Sequence, residues 1–366
     1  MKIISVVGAR PNFMKIAPIM DELKKHPEIE SLLVHTGQHY DETMSDSFFK
    51  DLGIPLPNIN LEVGSKSHAV QTAEIMTGFE KVIVKHNPDL VIVVGDVNST
   101  LACALTCSKM NIPVAHIEAG LRSFDRTMPE EINRILTDAI SEYLFITEKS
   151  AEINLLREGR PKEKIYFVGN VMVDTLLKNR EKANQSLILS KLNLIAAKGN
   201  TLPYAYLTLH RPSNVDNKNV LLGILQALAE IQQHIKIIWP IHPRTKKKIE
   251  EFNFSDVLKA KGIILVEPLG YLDSLKLISE SRFTLTDSGG IQEETTILNI
   301  PCLTLRNNTE RPVTVEQGTN TIVGTDRKKI VKESLSNLEK GRNRKPAPKL
   351  WDGKTAGRIV EILIKK

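Results

Sequence analysis

The chain has 366 residues, which favours two domains with sizeable cores. It is 41% hydrophobic and 25% charged, as globular proteins are, and no apolar stretch approaches the length that spans a bilayer. The net charge of +6 suits an anionic substrate, while scattered basic residues and only 5% aromatics argue against a nucleic-acid surface.

The first half alternates strand and helix. Lys2–Val7 reads as a strand, and its apolar run breaks at Gly8-Ala9-Arg10-Pro11, unlike a signal peptide. A helix over Phe13–Lys25, a strand at Leu32–Thr36, and helical runs near 42–51 and 69–86 follow. Asp89–Val94 is nearly continuous and β-branched, the pattern of a strand buried on both faces of a parallel sheet. Pro113–Ile117, Tyr143–Thr147 and Ile165–Val168 repeat it, with helices at 98–110, 130–141 and 148–158 between them. Cys103 and Cys107 sit at i, i+4 on one of these helices. With Cys302 they make three thiols without metal spacing, read as core cysteines of a reducing cytoplasm.

The stretch 169–203 reads as a helical hinge. A second array then begins, with strands at Ala205–Leu209, Ile235–Trp239, Ile263–Val266, Phe283–Thr286 and Cys302–Leu305. A basic, Pro-containing linker at 341–349 leads to a last helix, Asp352–Ile364. Two successive βα arrays predict two doubly wound Rossmann-like domains facing each other across a cleft. The expected boundaries are 1–169, with helix 352–366 packing back on it, and 170–351.

Ligands of such sheets sit beyond the carboxyl ends of the strands, so the residues there come first. They are Gly8, Arg10 and Lys15; Gly37-Gln38-His39; Gly95-Asp96; Glu118-Ala119-Gly120; His210-Arg211; and His242. Thr286-Asp287-Ser288-Gly289-Gly290-Ile291-Gln292-Glu293-Glu294 is a strand, a short turn and a helix start. Unpaired amides and the positive end of a helix dipole meet at such a turn, which suits phosphate. Glu294, one turn in, is placed to accept from ribose hydroxyls. Each residue also has a bland reading. Asp96 caps the next helix, Glu118 pairs with Arg122, His210 is a rim histidine, and Thr127-Met128-Pro129-Glu130 is a capping box. Carboxylates, histidines and arginines gathered at strand ends point instead to an active site.

Several motifs recur in a fixed order. They are Gly8-Ala9-Arg10-Pro11 with Lys15, Gly95-Asp96, His116 through Arg122, Pro129 through Arg134, His210-Arg211, Thr286 through Glu294, and Thr309-Glu310-Arg311-Pro312. In this order the chain resembles the non-hydrolysing UDP-N-acetylglucosamine 2-epimerases over almost its whole length. The resemblance implies a glycosyltransferase-B-like α/β fold, a homodimer, and inversion at the sugar's second carbon through elimination and re-addition of UDP. It implies catalytic roles for Asp96, Glu118, Glu130 and His210. Arg10, Lys15, Gln38, His242, Ser288, Gly289, Gly290, Glu294 and Arg311 would bind substrate, with Leu269 and Ser274 receiving the uracil. No cofactor, nicotinamide or metal is implied, and no nucleic-acid or membrane partner.

Departures from the family pattern include Ala9 and Asn12 in the first motif, Pro212-Ser213-Asn214 after His210-Arg211, and Val313. The segment Gly64–His68 does not reproduce the second-site residues of allosterically activated members. A subgroup acting on UDP-2,3-diacetamido-2,3-dideoxy-glucuronate stays open, as do a hydrolysing epimerase and a UDP-sugar glycosyltransferase of the same fold.

Overall fold

The computed structural model describes residues 1–38, 53, 56–256, 261–340, 342 and 344–365. The expected helical run near 42–51 and His39 lie outside the described residues, and so does the side chain of Arg10. The chain divides into two compact units, one of Met1–Lys178 with Lys349–Lys366, the other of Asn179–Pro348.

The first unit carries a seven-stranded sheet: β1 (Lys2–Val7), β2 (Glu30–His35), β3 (Ile59–Asn60), β4 (Leu90–Val94), β5 (Val114–Ile117), β6 (Tyr143–Ile146) and β7 (Ile165–Phe167). The order is β3-β2-β1-β4-β5-β6-β7, with every pairing parallel. All five residues of β4 are buried, as its continuous β-branched run requires when helices cover both faces. On one face, Ile75, Phe79 and Val82 of helix His68–His86 and Ala102, Cys103 and Cys107 of helix Asn98–Lys109 close the core. The three cysteines are unpaired and buried. On the other face helix Arg10–Leu23 packs against the C-terminal helix Thr355–Ile364.

Helix Arg10–Leu23 contains Pro18, which has no N–H for the carbonyl of Met14. The Thr175 hydroxyl donates to that carbonyl at 2.5 Å and removes the deficit. Trp351 Nε1 donates to the Thr147 carbonyl at 2.9 Å, fastening the returning chain to the first unit.

The second unit has six parallel strands: β8 (Tyr204–Thr208), β9 (Lys236–Pro240), β10 (Ile263–Val266), β11 (Phe283–Thr286), β12 (Cys302–Thr304) and β13 (Asn320–Ile322). Their order is β10-β9-β8-β11-β12-β13. Trp239, Phe283 and Leu285 are fully buried with the apolar face of helix Lys218–Ile231. Burying a side chain of that size contributes roughly 1.5–3 kcal/mol. Helix Val171–Asn184 carries the chain from the first unit into the second.

In both sheets the order reverses once, between β1 and β4 and between β8 and β11. An open α/β sheet leaves a crevice at that point, because successive crossovers turn away to opposite sides. The residues following those four strands are Gly8–Arg10, Gly95-Asp96, Leu209–Arg211 and Asp287–Gly289.

Candidate active site

At the first reversal, Gly8 and Ala9 donate their amides to Asn12 Oδ1 at 3.2 and 3.0 Å, and Asn12 Nδ2 donates to the Val94 carbonyl at 3.0 Å. Asn12 therefore ties the end of β1 to the end of β4. Lys15, one turn further along, is buried and its Nζ lies 2.6 Å from Glu118 Oε2. Glu118 follows β5 with φ of +72°, a left-handed conformation unusual for glutamate. Two ions brought together out of water depend on each other, and removing one strands the other.

Helix Pro129–Ile140 holds the neighbouring loops with charged residues on its buried side. Arg134 pairs with the Asp96 carboxylate, and Asn133 Nδ2 donates to the Asp96 carbonyl at 2.9 Å. Glu131 accepts from the amides of Ser123 and Phe124 at 3.0 and 2.8 Å. Burial pushes the Glu131 carboxyl up, but the Ser123 amide and Arg134 outweigh it and hold it below the ordinary glutamate value. Glu130 lies half-buried in the first turn of this helix.

Asp138 reaches furthest. One of its oxygens lies 2.7 Å from His116 Nδ1, and the other accepts from the Gly120 amide at 3.0 Å and pairs with Arg122 at 2.7 Å. His116 Nε2 donates to the Gly95 carbonyl at 2.8 Å, so one buried ring links the strand before Glu118 to the residue before Asp96.

These contacts correct three bland readings. Arg122 pairs with Asp138 and Glu158, not Glu118. The helix after Asp96 has Val97 as its N-cap, with no side-chain cap, and Asp96 turns to Arg134 instead. The capping box at 127–130 does not form, because the Thr127 hydroxyl donates to Asp125 Oδ1 at 2.6 Å and the N-cap is Met128. Gln38 is buried with its Oε1 accepting from the Ser99 amide and hydroxyl at 3.0 and 2.7 Å, which places it beneath the end of β1.

At the second reversal, helix Gly289–Leu298 opens directly after β11, with Ser288 as N-cap and no side-chain cap. The Ser288 amide donates to Thr286 Oγ1 at 3.0 Å. Gly289 and Gly290, in the first turn, have no carbonyl four residues back within the helix, which leaves an anion-seeking N-terminus. A Cβ on Gly289 would lie 2.5 Å from Arg311 Nη1, so any larger residue there must push the buried guanidinium aside. Arg311 is buried beneath that turn, with Nε 2.6 Å from Glu293 Oε1 and Nη1 2.5 Å from Glu310 Oε1. Arg306 meets the other Glu310 oxygen at 2.7 Å. Burial would push Glu310 up, but Arg311 and then Arg306 hold it well below the ordinary range.

His210 follows β8, and its ring centroid lies 5.6 Å from that of His242, which follows β9. His242 caps helix Pro243–Glu251, its Nδ1 accepting from the Arg244 amide at 3.2 Å. Lost hydration and then the neighbouring His210 pull His242 below the ordinary histidine value. Glu294 is buried against Tyr271; burial and then that carboxylate push the phenol well above its usual range. Leu269 and Ser274 flank the start of helix Tyr271–Glu280, both half-buried.

Sequence reasoning gave no role to Asp138, Glu131 or Glu293, and named Arg134 and Glu310 only within motifs. One signal was available. Glu131, Arg134 and Asp138 fall at i, i+3 and i+7, the spacing of a helix's buried stripe, where apolar residues are the rule. Among the described residues no three His, Cys, Asp or Glu side chains converge on a metal position, and no helix is long and apolar enough to cross a membrane.

A sequence profile of the family described as UDP-N-acetylglucosamine 2-epimerase matches residues 21–364. A protein of Methanocaldococcus jannaschii named UDP-N-acetylglucosamine 2-epimerase is 47% identical over 99% of each chain. The crystal structure of that organism's UDP-GlcNAc 2-epimerase in complex with UDP-GlcNAc and UDP matches with a TM-score of 0.93 at 47% identity, covering 100% of both chains. A Pseudomonas aeruginosa protein named UDP-2,3-diacetamido-2,3-dideoxy-D-glucuronate 2-epimerase is 40% identical over 100% of each chain.

Proposed function

The chain belongs to the UDP-N-acetylglucosamine 2-epimerase family, and from that premise we propose that it interconverts UDP-N-acetylglucosamine and UDP-N-acetylmannosamine by elimination and re-addition of UDP. The observation that carries this reading is a pair of carboxylates at neighbouring strand ends, each held by its own cation. Glu118 is fixed by Lys15, and Asp96 by Arg134.

The chemistry needs such groups. The hydrogen on the sugar's second carbon is not next to a carbonyl, so it becomes removable only as positive charge builds at the anomeric carbon. One carboxylate takes that proton; the C–H electron pair becomes the C1–C2 double bond while the C1–O pair departs with UDP. A proton returned to the other face of the second carbon, with UDP re-attacking the first, completes the inversion. Asp96, Glu118 and Glu130 share the removal and return of the proton. The leaving diphosphate takes its donors from the Gly289-Gly290 helix start, Ser288, His210, Arg10 and Arg311. Lys15, Gln38 and His242 line or support the substrate, Glu294 takes the ribose, and Leu269 and Ser274 take the uracil. The route uses neither nicotinamide nor metal, and the same reading makes the protein a cytoplasmic homodimer.

The 40% identical relative favours one alternative substrate, the diacetamido-glucuronate nucleotide. Incubating the purified protein separately with both UDP-sugars and resolving the products by NMR tests the proposal. A mixture of UDP-N-acetylglucosamine and UDP-N-acetylmannosamine is expected. Turnover of the uronate alone would move the substrate, and free N-acetylmannosamine would mean that water captures the intermediate.

A further inference from the structure

Asp287 follows β11 and is fully buried, and the reading above gives it no task. Its Oδ1 lies 2.9 Å from His210 Nδ1. Its Oδ2 accepts from the amides of His210 and Arg211 at 2.9 and 2.8 Å, and from Asn214 Nδ2 at 3.2 Å. β8 and β11 pair in parallel register at the reversal, Thr208 beside Thr286, so imidazole and carboxylate leave the sheet side by side. Both the backbone and the ring of His210 are thus held by one side chain.

Those contacts decide which ring nitrogen carries hydrogen. Burial pushes Asp287 up, but His210 and the two amides outweigh it and keep the carboxyl below the ordinary aspartate value. An ionised carboxylate only accepts, so the ring nitrogen facing it at 2.9 Å, His210 Nδ1, is the one that carries hydrogen. Nε2 is then the nitrogen offered to a ligand, on a side chain 39% exposed above a carboxylate that is 0% exposed. The next residue after Asp287 is Ser288, which opens the helix start described above. The charged and titratable groups around the pair are His242 from the end of β9, Arg211 on the same loop, and Glu310, 3.7 Å from Arg211.

We propose that Asp287 is a positioning residue that fixes the Nδ1–H form of His210 and aims Nε2 at the departing diphosphate. In the forward step the Nε2–H bond of the protonated ring breaks and an O–H bond forms on the diphosphate as the C1–O electron pair leaves with it. The ring is left neutral with Nδ1–H still held by Asp287, and re-addition of UDP returns the proton. This rests on the function proposed above for the identity of the ligand; the state of the ring does not.

The test uses the whole enzyme labelled with 15N-histidine, His210→Asn identifying the resonance. Wild-type protein should show the neutral ring protonated on Nδ1, and UDP should perturb Nε2 more than Nδ1. A neutral ring protonated on Nε2 would overturn the proposal, whatever the protein's activity. Asp287→Asn, checked for folding by circular dichroism, should lower kcat by about 100-fold or more with little change in KM, and shift the pH profile. Asp287→Glu should recover part of the loss. A folded Asp287→Asn variant with wild-type kcat and pH profile would also overturn it, and if that variant fails to fold the wild-type spectrum decides.

Discussion

The molecule contains two histidine–aspartate pairs, one at each sheet reversal, and they differ in what the second ring nitrogen meets. His116 is fully buried, with Nδ1 on Asp138 and Nε2 on the Gly95 carbonyl, so every polar atom of the ring is consumed by the fold. His210 sets Nδ1 2.9 Å from Asp287 and carries Nε2 on a side chain that is 39% exposed. The aspartates are alike: in each, burial pushes the carboxyl up, and the histidine outweighs it together with Arg122 in one and two backbone amides in the other. A buried acid beneath a histidine is therefore not a sign of chemistry in itself. The sign is whether the far nitrogen reaches a place where a substrate can sit.

That contrast sets what each pair should do when broken. His210→Asn should cost the most activity, on the order of 100- to 10,000-fold in kcat, while thermal unfolding stays within a few degrees of wild type. Asp138→Ala should do the reverse in kind. It strands the buried His116 and leaves Arg122 with Glu158 alone, and should lower unfolding free energy by roughly 3–5 kcal/mol in urea titrations. Equal stability losses in the two variants would erase the distinction. Gly289→Ala comes next, since its methyl must displace the buried Arg311 guanidinium. Overpacking of that kind costs about 1–3 kcal/mol, to be read both in stability and as weaker UDP binding by calorimetry. Ser288→Ala should be mildest, weakening UDP by about 1 kcal/mol with stability unchanged. It is a cleaner probe of the diphosphate than Arg311→Ala, which would also take the Arg311 cation from Glu293 and leave Glu310 only Arg306 and the more distant Arg211.

The two aspartates also set a pH dependence. Both carboxyls lie below the ordinary value when folded, so their stabilisation is complete above about pH 4. It is lost as pH falls from there through the lower folded values. Asp138→Asn should flatten that acid limb in thermal unfolding measured between pH 5 and pH 2.

The strands were largely legible because parallel, doubly covered strands leave unbroken β-branched runs; Leu90–Val94 is the clearest. β3 and β13 were not, since two and three residues with an asparagine in each carry no period. Strand ends could be read as the place of the polar residues, because the reversal of strand order follows from alternating strands and helices. The partners of those residues could not. Lys15 and Glu118 meet across 103 positions, and His210 and Asp287 across 77. Nothing local in either segment announces the other. Where a local rule did exist it misled: Thr127 and Glu130 have capping-box spacing, but Asp125 is nearer to the threonine hydroxyl.

The central claim is that the protein removes and returns the hydrogen on the sugar's second carbon through carboxylates, whose protons exchange with water between turnovers. The direct measurement is to run UDP-N-acetylglucosamine to partial conversion in deuterated water and read the product by mass spectrometry and NMR. Deuterium on the second carbon of UDP-N-acetylmannosamine is the predicted result. Epimerised product that keeps its original hydrogen would contradict the elimination route and, with it, the roles given to Asp96, Glu118 and Glu130.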